Sequence, residues 1–124
     1  MKTFLAACLG LWLSGCSGDR RTGEWIDQLR APDASQRLHA IKALSERQRE
    51  EDVIVPALTE ALRDSDAFVR RDAARALGRL KEGSRPALPT LRALAQDRNA
   101  GVRRAAAEAM AQIAPETAGA TGPR

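Results

Sequence analysis

Apolar positions along the chain recur at helical spacing, most clearly over residues 64–80, DSDAFVRRDAARALGRL. Val69, Ala73, Ala76, Leu77 and Leu80 form one stripe of a helix, with arginines and aspartates on the other faces. The pattern returns over 97–113 as DRNAGVRRAAAEAMAQI, offset by 33 residues: Asp64/Asp97, Asp66/Asn99, Val69/Val102, Arg70/Arg103, Ala73/Ala106, Ala76/Ala109, Leu77/Met110 and Leu80/Ile113. The same offset in the other direction reaches Asp33, Arg37, Ala40, Ala43 and Leu44, a weaker third copy. A fixed period of this length marks a stack of small units, none able to bury its own apolar face alone.

Within that period the chain reads as six helices in three antiparallel pairs. The first covers about 22–31, with Thr22 as cap and Trp25, Ile26 and Leu29 inward. Pro32 breaks it, because the residue before a proline is driven out of the helical region. Asp33 caps the second helix, which runs to about 49, with Gln36 as capping-box partner and Leu38, Ile41 and Leu44 on its apolar side. Glu50, Glu51 and Asp52 stand at the start of the third helix, about 53–63, where acids complement the macrodipole; this reading is preferred to a metal site. Val55, Leu58 and Leu62 point inward, and Pro56 falls in the first turn. Asp66 caps the fourth helix, about 67–81, on which Gly78 suggests close approach by a neighbour. The fifth covers about 85–96, with Leu88, Leu91 and Leu94 inward and Pro86 and Pro89 near its start. Asn99 caps the sixth, about 100–114; residues 115–124 have no apolar pattern and are expected to be disordered.

Composition sharpens this picture. The 124 residues suffice for one small domain. Aromatics are 3% and alanine fills 24 positions, so stability must come from many close helix contacts rather than a few large anchors. Charges of both signs are mixed through the middle of the chain, which argues against disorder there.

The N-terminus follows different rules. Residues 1–16 read MKTFLAACLGLWLSGC: a basic Lys2, a ten-residue apolar run over 4–13, then small residues and Cys16. The run is too short to span a bilayer, which needs ~20 residues, but suits a signal-peptide core. Leu13-Ser14-Gly15-Cys16 resembles the lipobox of bacterial lipoproteins, which implies cleavage after residue 15 and lipid on Cys16. Residues 16–23 then form a lipidated tether. Cleavage would remove Cys8 and leave no second cysteine for a disulfide within the chain. It would also lower the net charge from +4 to +3, too mild to imply nucleic acid. Ser17 after the cysteine implies sorting to the outer membrane, facing the periplasm, if the host is Gram-negative.

Pro56, Asp64 and Val69-Arg70, repeated as Pro89, Asp97 and Val102-Arg103, resemble the HEAT repeat. The phrase VRRDAARALGRL is especially similar to the short bacterial HEAT-like units of phycobilisome lyases. The resemblance covers about 22–114 and implies an all-α fold, a short right-handed α-α superhelix of about three helix pairs. Within the repeat domain, 24–114, the units fall at about 24–50, 52–82 and 85–114. It also implies a structural ladder between neighbouring units, made here by Asp64, Arg70, Asp97 and Arg103. Unit one departs from the pattern: Gly23 stands for the proline, Ala31 for the aspartate and Gln36 for the valine.

Candidate chemistry is sparse. His39 is the single histidine, and its register-mates Asp72 and Ala105 supply no catalytic pair. No phosphate loop, zinc-ligand spacing or serine-nucleophile motif occurs, so the expectation is a non-enzyme without metal or cofactor. In HEAT stacks the second helices usually line the concave side. Projected at the 33-residue offset, their exposed ridges give a basic strip of Lys42, Arg71, Arg75, Arg79 and Arg104, which reads either as a groove for an acidic protein segment or polyanion or as a solvated helix face. Two readings follow: a lipid-anchored adaptor of the bacterial cell envelope, or an accessory factor for a modifying enzyme of the lyase-associated type. An uncapped C-terminal end also leaves room for a homodimer.

Overall fold

The computed structural model describes residues 21–118. The signal peptide, Cys16 and the tether up to residue 20 lie outside the described residues, as does the tail from 119 onward. The elements are α1 (Thr22–Gln28), α2 (Ala34–Ser45), α3 (Glu51–Ala61), α4 (Ala67–Arg79), α5 (Leu88–Leu94), α6 (Ala100–Ile113) and α7 (Pro115–Ala118). Short 3-10 segments at Gln48–Glu50 and Lys81–Ala87 connect the pairs. Among the described residues there is no strand, and no helix is long and apolar enough to cross a membrane.

Each second helix starts the same way. Asp33, Asp66 and Asn99 adopt extended backbone, and each side chain accepts amide hydrogen bonds from the first turn that follows. These bonds satisfy donors that a helix start otherwise leaves open. The capping box expected at Asp33 does not form: the carboxylate takes the amide and hydroxyl of Ser35 instead, and Gln36 is exposed. Nor is Thr22 a cap. It is the first residue of α1, buried, and its hydroxyl donates to Glu50 Oε1 at 2.7 Å, tying α1 to the end of unit one.

The second helices form one layer, with α4 between α2 and α6; α1, α3 and the segment leading into α5 form the other. Leu44, Ile54, Leu58, Leu62, Leu77, Leu91 and Ile113 are fully buried between them. Around these large residues the packing is alanine on alanine: Ala73, Ala74, Ala105, Ala106 and Ala109 are all buried. Gly78 shows how tight this is, since a Cβ there would lie 3.1 Å from Ala109 Cα. Dispersion over such short separations compensates for the small apolar area each alanine brings.

The first helices depart from expectation in two places. Helix α3 begins at Glu51, two residues early, so Pro56 lies in its second turn and denies Asp52 a backbone donor. Both residues are exposed, so water can satisfy that carbonyl. Lys81 takes a left-handed conformation, φ 53°, just beyond α4, and the fifth helix is shorter than expected, starting only at Leu88. Pro86 then falls in the 3-10 segment, and only Pro89 sits in the first turn of α5, where no donor is needed. Beyond Ala114, residues 115–118 form α7 rather than a disordered start to the tail, and Glu116 in it pairs with Arg85.

Candidate functional site

The turns between paired helices build a repeating ionic ladder. Arg70 Nη1 donates to the carbonyls of Asp64 and Ser65 in its own turn, at 2.8 and 3.1 Å. Its Nε and Nη2 reach across to both carboxylate oxygens of Asp97 at 3.0 and 3.1 Å. Asp97 in turn accepts the Asn99 amide, fixing the next helix start. A bidentate pair of this kind sets both distance and angle between units. The Arg70 bonds, above all, hold the Asp97 carboxyl below its ordinary value against the opposing effect of burial.

Unit one joins the same ladder despite its divergent sequence. Arg37 Nη1 donates to the carbonyls of Ala31 and Pro32, and Nη2 donates to Asp64 Oδ1 at 3.1 Å. Its Nε lies 2.9 Å from Oδ2, an ion pair rather than a directed hydrogen bond. Arg37 was absent from the expected ladder, although its 33-residue register with Arg70 and Arg103 marks it. Arg103 completes only half the arrangement: it donates to the carbonyls of Asp97 and Arg98, and among the described residues no carboxylate faces it.

The expected basic strip divides in three. Lys42, Arg75 and Arg79 line one groove of 420 Å³ between α2 and α4, together with Leu38, His39, Ser45 and Asp72. Arg79 Nη1 lies 3.4 Å from the Ser45 hydroxyl, across that groove. Arg71 does not belong to it. Its Nε bonds Asp72 at 2.9 Å, its guanidinium stands 5.0 Å from the centre of the exposed Phe68 ring, and its aliphatic stem packs near Gly101 of α6. Helical rotation explains the split, since positions 71, 74 and 78 face α6 whereas 72, 75 and 79 face α2. Arg104, one period after Arg71, is exposed and stands apart from the groove. Sequence projection also omitted Asp72, which contacts Arg71 and lies 3.8 Å from Arg75, tempering the charge on one side.

His39 stacks on Trp25 with ring centroids 5.3 Å apart. A larger depression of 670 Å³ lies at the turns between α3 and α5, but its central charges, Arg70 and Asp97, are already committed to each other.

The family model for HEAT repeats matches residues 23–111. No curated protein matches the chain significantly. Among solved structures, the complex of CpcE and CpcF of phycocyanin lyase from Nostoc sp. PCC7120 contains a chain 33% identical to this one, with a TM-score of 0.72. The similarity covers 81% of this chain but only 40% of that one, so the present chain spans well under half of its neighbour's length.

Proposed function

Because the chain belongs to the HEAT-repeat family, we propose that it is a non-catalytic, lipid-anchored protein-binding scaffold of the bacterial cell envelope. The groove between α2 and α4 carries this reading. Three cations from two helices, Lys42, Arg75 and Arg79, converge on it, and Asp72 is the only acid among its lining residues. An extended acidic segment of a partner protein suits such a surface. Exposed pairs contribute only ~0–1 kcal/mol each, so affinity requires several at once and falls with salt. Reversing Lys42, Arg75 and Arg79 to glutamate should abolish capture of an acidic partner from the native envelope, with the circular dichroism spectrum unchanged. The same reversal at the exposed Arg63 and Arg92 on the first-helix layer should leave capture intact. Capture that survives the groove variant would sink this reading.

The anchor rests on Cys16 and the lipobox before it. Labelled palmitate should enter the wild type and not Cys16→Ser, with the mature chain beginning at residue 16. Equal labelling, or a mature chain retaining residues 1–15, would remove the anchor and the envelope location together.

The similarity to the phycocyanin lyase complex supports a second reading, an accessory factor for a modifying enzyme. The acidic segment in the groove would then belong to that enzyme or its protein substrate. The two readings part on whether the captured partner depends on this chain for its modification.

A further inference from the structure

Arg103 is prepared for a partner that the described residues do not supply. Arg37, Arg70 and Arg103 each bind two carbonyls of their own turn through Nη1, which holds the guanidinium pointing along the stack. In the first two, the remaining edge grips the aspartate of the next unit, 27 residues on. In the third, no carboxylate among the described residues meets that edge. The surrounding helix face has the same character. On α4, Ala74 and Gly78 are buried under α6; their equivalents one period later on α6, Ala107 and Ala111, are exposed. The end of the stack therefore repeats the make-up of an internal face, small apolar residues beside a pre-positioned arginine, where a closing unit would present polar side chains.

We infer that this end face docks a helix pair of another protein carrying an aspartate or glutamate at its turn, whose carboxylate completes the ladder on Arg103. A second copy of this chain fits poorly. Stacked head to tail, it would offer Ala31 where the carboxylate is needed, and stacked end to end it would oppose two Arg103 side chains.

The test uses the full chain in its native cells, with a benzophenone photo-cross-linking residue replacing Ala107 and, separately, Ala111. The cross-linked peptide, sequenced by mass spectrometry, should be a helix-turn-helix segment of a different protein with an acidic residue at the turn. Arg103→Glu should lower the yield about tenfold or more, because it opposes like charges at a desolvating contact. Its circular dichroism should be unchanged, and reversing the partner's acid to arginine should restore the cross-link. Absence of a cross-link, a cross-link to a second copy, or a yield indifferent to Arg103→Glu would each overturn the inference. So would loss of the Ala107 cross-link on reversing Lys42, Arg75 and Arg79, which would assign the partner to the groove.

Discussion

Asp97→Ala should destabilise the domain by about 3–5 kcal/mol, the range for breaking one side of a buried ion pair. The Arg70 and Asp97 side chains are only 9% and 10% exposed, so loss of Asp97 leaves a largely desolvated guanidinium edge without its carboxylate. Two other arginine variants calibrate the result. Arg71→Ala removes a 29% exposed side chain paired to its sequence neighbour and should cost no more than about 1 kcal/mol. Arg103→Ala, exposed and without a carboxylate partner among the described residues, should also cost little in the isolated chain. The ladder further predicts a pH signature. Because the folded state holds the Asp97 carboxyl below its ordinary value, the pair's contribution is present above the usual carboxylate range. It is lost as pH falls through the lowered folded value, so the Asp97→Asn melt should lose part of its acid sensitivity. Urea melts in which Asp97→Ala and Arg71→Ala are equally stable would show that the turns, not the ladder, fix the stacking.

How far such a molecule can be read from its sequence depends on which interactions are periodic. The caps at Asp33, Asp66 and Asn99 and the stripe through Val69 and Leu77 obey local rules, and each appears in the structure at the expected register. Fold class followed from those together with the 33-residue period and the resemblance to HEAT repeats. The inter-unit pair of Arg70 and Asp97 and the close approach at Gly78 were legible too, because the period repeats them; what failed was rotation about a helix axis and contacts made by the divergent first unit. Arg71 and Arg75 are four residues apart and look like one ridge, yet α4 lies between two helices, so that ridge is shared by two grooves. The contacts of Thr22 and Arg37 escape for the opposite reason: divergent residues around them hide the bonds to Glu50 and Asp64, 28 and 27 positions away. Proline effects were legible in kind but not in place. Their cost depends on the helix start, and an early start at Glu51 moved Pro56 out of the harmless first turn.

Leu77→Ala should cost about 2–5 kcal/mol, enough to consume much of the stability of so small a domain. Leu77 is fully buried on α4, the one second helix with a neighbour on each side. Many buried side chains of the second-helix layer are alanines, which cannot extend into a vacated leucine volume, and a Cβ on Gly78 would already lie 3.1 Å from Ala109 Cα. Collapse of the cavity is therefore blocked from both directions, and the cost belongs at the upper end of the range. Position 110 supplies the internal comparison, because Met110 occupies the equivalent place on α6 and is only half-buried at the end of the stack. Met110→Ala should thus be clearly milder, while Leu77→Met, which conserves volume, should cost less than about 1.5 kcal/mol. Stacked units are stabilised by nearest-neighbour interfaces, so damage at the centre loosens two of them and damage at the end only one. Urea titrations followed by circular dichroism give the three values directly. Equal losses for Leu77→Ala and Met110→Ala would mean that the units fold independently, and that α4 is not the element through which they are joined.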